Sequence, residues 1–432
     1  MTHLSWTSIV RLGLVQLCLG AIVVLTTSTL NRLMVVELAL PAVLPGLLVG
    51  LHYAIQITRP NWGYRSDTGG NRTRFIILGM AALASGGFLA AAGFVVMAVS
   101  FWAGLALSVL AYVLIGLGVG ASGTSLLALL ASATHPRRRA AAATITWLMM
   151  IFGIAVTATV VGKALDPYSP SLLLKLVALV CGSAVVLTIL AVRGIERRAG
   201  VIEAPERQPL PFRRGIAEIW AEPRARHFTL FIFLSMVAYF MQELILEPYA
   251  GLVFGFTPGQ STQLSGVQNG GVFVGMLTVG IAATGLRIGS LRTWVMAGCG
   301  GSALALLLLT TAGQIGMGVA LVRPATMALG FFNGMFAVAA IAAMMALAGE
   351  GREEREGTRM GLWGASQAIA AGAGGLLGAA SVDVARRWID APSAFGLVFA
   401  VEATLFLVSM VIAEHVIDAR RKADFGTAIP GE

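Results

Sequence analysis

Little in this chain is charged: Asp, Glu, Lys and Arg make up 12% of its 432 residues, against 57% hydrophobic residues. A soluble domain carries about twice that share of charge, so the balance excludes an ordinary water-soluble globule. Cysteine is nearly absent. The three present, Cys18, Cys181 and Cys299, lie inside apolar runs with no pair spacing that suggests a disulfide or a metal clip. There is no GKS or GKT loop to cradle a nucleotide, no His/Cys spacing for zinc, and no grouped nucleophile, base and acid. Long polar stretches are missing too, which leaves no room for a soluble catalytic domain.

What is present is apolar length. Mean hydropathy is +0.83, and the chain divides into about twelve windows of about 20 apolar residues, each enough to cross a bilayer core. The sequence therefore reads as an all-α, multi-pass membrane protein. Its net charge of +9 could suggest nucleic acid, but the arginines sit between the apolar windows. About 24 of the 30 Lys and Arg fall in loops on the side of the amino terminus, the positive-inside pattern, which predicts cytoplasmic termini and a surface drawn to anionic lipids rather than to nucleic acid. The first apolar run is longer than a signal-peptide core and reads as retained.

The longest polar interruption, 193–226, contains ERRAGVIEAPERQPLPFRRG. It splits the windows six and six, predicting an N-terminal half over 1–192, a cytoplasmic linker over 193–226, a C-terminal half over 227–417 and a tail over 418–432. Two such halves resemble transporters of the major facilitator superfamily, whose halves are related by a pseudo-twofold axis along the membrane normal. The superfamily's loop after the second helix follows G-x-x-x-D-(R/K)-x-G-x-(R/K)-(R/K). Gly63, Asp67, Gly69 or Gly70, Arg72 and Arg74 approximate it, with Thr68 where a basic residue is usual. Asp67 could accept from free amides at a helix start and hold that side closed. In the second half the equivalent GLRIGSLRT keeps Gly285 but has Gly289 at the aspartate position, which predicts a weakened gate.

Ionisable groups inside membrane helices are expensive and are the natural site candidates. His52 lies within the window 42–58, with Gln56 one turn on; a hydrogen bond to a neighbouring helix is the alternative to a ligand role. Glu243 and Glu247 in MQELILEPYAG stand four apart and are expected on one face of a helix over 227–249, as a proton site, a ligand-facing acceptor or simply a solvated boundary. Gln268 and Asn269 are expected at the start of the next span, 264–284. Glu37 has Arg32 about one turn away as a partner, and Gln367 suits an interhelical hydrogen bond. Small residues four apart, Gly116 with Gly120 and Gly374 with Gly378, suit close helix packing or, alternatively, a flat ligand against a glycine face.

Three longer blocks narrow the resemblance: Leu30 to Arg74, Gln242 to Met276 and Arg359 to Gly378. Together they are similar to the PucC and LhaA family, the bacteriochlorophyll-associated branch of the superfamily in phototrophic bacteria, and within it to a compact member described as a bacteriochlorophyll synthase chain. The resemblance implies a non-enzymatic carrier or chaperone in the inner or intracytoplasmic photosynthetic membrane, with the synthase and light-harvesting antenna subunits as partners and bacteriochlorophyll as the bound pigment. It makes His52 the candidate axial ligand to the chlorin magnesium. Around it, the expected pigment-binding set is Tyr53, Gln56, Glu243, Glu247 and Asn269, with Trp62, Trp147 and Trp363 as possible walls.

Overall fold

A computed structural model describes residues 4–59, 62, 71–134, 139–195, 222–286, 288–315, 318–348 and 356–417. Of the residues expected to form the first gate, Gly63, Asp67, Thr68, Gly69 and Gly70 lie outside this range. The described chain is helical throughout its long elements. Helix α1, Trp6–Val24, continues through a π turn at Leu25–Thr29, a short α stretch at Leu30–Arg32 and a second π turn at Leu33–Glu37. Next come α2 (Val43–Ile55), α3 (Arg72–Met97), α4 (Phe101–Ala133), α5 (Arg139–Ala164) and α6 (Pro170–Val192). Beyond the linker lie α7 (Pro223–Met241), α8 (Leu246–Phe254), α9 (Pro258–Val279), α10 (Leu291–Gln314), α11 (Gly318–Ala348), α12 (Glu356–Ala385) and α13 (Ala391–Val416).

Among the described residues ten helices are long and apolar enough to cross a membrane, and two shorter apolar helices, Val43–Ile55 and Ile369–Ala385, complete the expected set. Helix starts follow local chemistry. Asn71 accepts the amide of Arg74 at 3.0 Å, Ser169 that of Leu172 at 3.2 Å and Ser290 that of Thr293 at 3.2 Å, each meeting an amide the helix itself cannot satisfy.

The chain forms two compact units. The first comprises Met1–Ala204 with Leu246–Asn269, and the second Pro205–Ile245 with Gly270–Glu432. The units are therefore not the two chain halves, because a segment expected in the second half packs with the first. Within the first unit α1 packs on α5 and α6, and α3 on α4 and α6; within the second, α7 packs on α12 and α13, and α10 on α11 and α13. The same pairing order recurs, as an internal repeat requires.

Glycines set the closest of these approaches. A Cβ on Gly118 would stand 2.5 Å from the Leu83 nitrogen, one on Gly116 2.8 Å from the His52 carbonyl oxygen, one on Gly374 2.7 Å from the Val237 oxygen and one on Gly378 2.5 Å from the Met241 oxygen. Gly116, Gly374 and Gly378 are thus occupied by neighbouring helix backbone, which is the packing alternative. Gly289 has a different reason. Its φ is +78°, and a Cβ there would meet Trp294 Nε1 at 2.8 Å. Glycine at the aspartate position is a backbone requirement of that turn.

Candidate functional site

Glu243 and Glu247 do not lie on one continuous helix. Helix α7 stops at Met241, a 3-10 turn covers Gln242–Leu244, and α8 starts afresh at Leu246, so Glu243 and Glu247 share no helix face. They also belong to different compact units. Glu243 is half-buried, whereas Glu247 is 0% exposed.

Local sequence builds the surroundings of Glu247. Helix α8 ends where Gly255 takes φ +67°; the Gly255 amide bonds the Gly251 oxygen and the Phe256 amide the Ala250 oxygen, each at 3.2 Å, the pattern of a left-handed glycine cap. Thr257 then opens α9. Its hydroxyl accepts the Gln260 amide at 3.2 Å, and Gln260 Oε1 accepts the Thr257 amide at 3.1 Å, a reciprocal capping box with Pro258 at the first helical position. The Thr257 hydroxyl also donates to Asp166 Oδ2 at 2.9 Å. Helix α9 therefore begins at Pro258, before the expected window 264–284, and Gln268 and Asn269 lie well inside it rather than at its start. Asn269 donates to the Ser265 carbonyl at 3.0 Å, one turn back.

Arg32 faces this segment. It is 2% exposed, pairs with Glu37, and donates to the Phe256 carbonyl at 2.7 Å and the Ser261 hydroxyl at 3.4 Å. The second π turn explains the Arg32–Glu37 pair, since residues five apart come onto one face when the turn widens. A Cβ on Gly251, one turn beyond Glu247, would lie 3.3 Å from both Nε and Nη2 of Arg32. Glu247 Oε1 accepts from the Ser265 hydroxyl, and the Thr262 hydroxyl donates to Thr29 Oγ1 at 3.1 Å. Glu247 Oε2 is buried with no hydrogen-bond partner among the described residues. In the loop after α5, Tyr168 is pushed up to about 12, first by desolvation and then by the nearby Glu37 carboxylate, so its phenol stays neutral at physiological pH.

Helix α1 supplies more polar surface than its apolar average suggests. Thr26, Thr27, Ser28, Thr29 and Asn31 are all buried, and Tyr112 of α4 donates to the Thr26 carbonyl inside the first π turn at 2.7 Å. The run TTSTLNR was the available signal for this stretch. Glu402 in α13 is the other missed group. It is 0% exposed, and neither carboxyl oxygen has a hydrogen-bond partner among the described residues.

His52 is buried at 2% exposure. Its Nε2 meets Gln56 Nε2 at 3.0 Å, the expected one-turn contact, and its ring lies 4.8 Å from that of Tyr53. Arg59 donates to Gln56 Oε1, which turns the Gln56 amide NH₂ toward the imidazole. Nε2 is consequently the acceptor and Nδ1 carries the proton. Nδ1 is buried with no hydrogen-bond partner among the described residues. Trp62 lies against α4, 3.4 Å from a Cβ placed on Gly120, and Trp147 is 38% exposed on α5. Arg72 donates to the Ala128 carbonyl at 3.1 Å, and the Arg74 amide is capped by Asn71. Gln367 Nε2 reaches Met236 Sδ on a neighbouring helix at 3.5 Å. Among the described residues no three His, Cys, Asp or Glu side chains gather as a metal centre would need, and the three cysteines are buried and free.

Comparison with known proteins gives a family and a fold. Residues 29–421 match the family model described as PUCC protein. The chain is 67% identical to the "Bacteriochlorophyll synthase 44.5 kDa chain" of Rhodobacter capsulatus, over 99% of this chain and 100% of that one. It is 29% identical to "Protein PucC" of Rhodobacter capsulatus, over 94% and 91% of the two chains. Among solved structures, a peptide transporter POT in complex with sulfate superposes with a TM-score of 0.70 at 13% identity, covering 96% of this chain and 97% of that one. A bacterial homolog of the human lysosomal transporter Spinster, inward-facing and occupied, gives 0.66 at 13% identity over 98% of each chain. These likenesses are of fold: the helices are arranged as in those transporter structures.

Proposed function

From the premise that this chain belongs to the PUCC protein family, we propose that it is a non-enzymatic membrane carrier and chaperone for bacteriochlorophyll. It receives the pigment beside the synthase and passes it to antenna polypeptides in the inner or intracytoplasmic photosynthetic membrane, with both termini in the cytoplasm. The observation that carries this reading is the end-to-end 67% identity to a protein named as a chain of bacteriochlorophyll synthase. A multi-helix fold of the transporter type suits the task, because a flat apolar macrocycle with a lipid tail needs a membrane-embedded holder.

His52 does not fit as the magnesium ligand in this arrangement. A ligating imidazole must present an unprotonated nitrogen with an open lone pair, and the one such nitrogen, Nε2, is covered by the Gln56 amide. The carrier reading therefore stands without His52. The rival reading, a proton-coupled transporter built on Glu243 and Glu247, would have to draw its two carboxylates from either side of the break between α7 and α8.

The test is to purify the protein in mild detergent from a pigment-producing host and read pigment absorbance against protein in the same sample. Pigment comigrating in a fixed ratio is expected, and His52→Leu should keep that ratio. A folded, colourless protein would overturn the carrier reading in favour of a pigmentless scaffold.

A further inference from the structure

We propose that Glu247 is the centre of a site for one monovalent cation, with sodium as the occupant; the inference is independent of the pigment reading. Four side chains from three elements form a run of oxygens: Thr29 on α1, Thr262 and Ser265 on α9, and Glu247 on α8. Ser265 bonds Glu247 Oε1, and one turn back on the same helix Thr262 bonds Thr29 at 3.1 Å. The second carboxylate oxygen, Oε2, is fully buried with no donor among the described residues, although an isolated carboxylate taken out of water is costly unless something compensates it.

Charge counting names the occupant's valence. Arg32 faces the same segment, but its charge is matched by Glu37, and it also donates to the Phe256 carbonyl and the Ser261 hydroxyl. Asp166 accepts from Thr257 on the first turn of α9. Tyr168 stays a neutral phenol, and Tyr249 of α8 is buried in ring contact with Phe254. With Asp166 exposed to solvent, one buried negative charge is left, on Glu247, and one positive charge balances it. The donors are all hard oxygens with no nitrogen or sulfur, which suits an alkali cation and not zinc or copper. A divalent ion would bring a second charge with no second buried, unpaired carboxylate to meet it, beside an arginine.

The ion would tie α1, α8 and α9 together inside the first unit, so its binding is readable as stability. The full-length protein in detergent is heated in sodium chloride or in choline chloride at matched ionic strength. The unfolding midpoint is expected to rise with the logarithm of sodium concentration in the wild type and to be flat in Glu247→Gln, while Glu402→Gln keeps the sodium response. Equal midpoints in the two salts for the wild type, as a proton-only site would give, or a sodium response retained in Glu247→Gln, overturn the proposal. Should Glu247→Gln fail to fold, Ser265→Ala and Thr262→Val serve instead. Each is expected to weaken the apparent sodium affinity about tenfold, and unchanged affinity in both overturns the site.

Discussion

Three glycines on helix α4 face three different amounts of space, and alanine at each should separate packing from simple helix preference. A Cβ on Gly118 would fall 2.5 Å from the Leu83 nitrogen, and one on Gly116 2.8 Å from the His52 oxygen, where ordinary van der Waals contact begins at 3.4 Å. The deficits are about 0.9 Å and 0.6 Å. The obstructing atoms are backbone, so α3 or α2 must shift as a body. Overpacking of this kind costs about 1–3 kcal/mol, and Gly118→Ala belongs at the upper end, Gly116→Ala below it. Gly123 has nothing within 4 Å of its would-be Cβ. Alanine there removes backbone freedom from the unfolded chain and should stabilise by about 0.4–1 kcal/mol. The assay is thermal unfolding of the purified variants in one detergent, followed by circular dichroism. Opposite signs for Gly123→Ala and Gly118→Ala are expected. The reasoning fails if Gly118→Ala is neutral, or if Gly123→Ala destabilises as much. The second result would mean that Gly123 meets something the protein alone does not contain, such as a flat ligand.

Arg32→Met removes a charge-assisted hydrogen bond to the buried Phe256 carbonyl and a longer one to Ser261, while Glu37, 37% exposed, can be rehydrated. The expected loss is about 2–4 kcal/mol, measured as a lowered unfolding midpoint, and no change would show that the guanidinium does not hold the α8–α9 segment. Glu402→Leu deletes a fully buried carboxyl whose two oxygens have no hydrogen-bond partner among the described residues. It should raise stability by about 1–3 kcal/mol, and a fall would reveal a partner for Glu402 outside this chain. Gly289→Asp, which restores the aspartate missing from the second loop motif, should destabilise by at least about 1–2 kcal/mol from the left-handed backbone alone, with Trp294 adding to it. A stabilised variant would refute the backbone account of that glycine.

Several of the site's contacts were legible in the sequence because they are local. Gln56 meets His52 one turn away as spacing demands, and Arg32 finds Glu37, helped by a π turn that spacing alone does not reveal. Other local chemistry was legible and passed over: Thr257-Pro-Gly-Gln260 is a capping box that marks the true start of α9, and TTSTLNR is a polar run inside a span. Glu402 was hidden differently, as a single acidic residue whose helix is apolar enough to cross a membrane whether that residue faces lipid, water or core.

The sequence by itself determined that this is a membrane protein of about twelve helices in repeated halves, because insertion into a bilayer depends on apolar length and loop charge along one chain. Tertiary structure decided which polar groups meet. Glu243 and Glu247, four residues apart, are separated by a helix break, while Thr29, Arg32, Glu247 and Ser265, more than 200 residues apart at the extremes, are brought to one buried cluster. Spacing describes a single helix, and a buried charge is satisfied by whichever helix the fold lays against it.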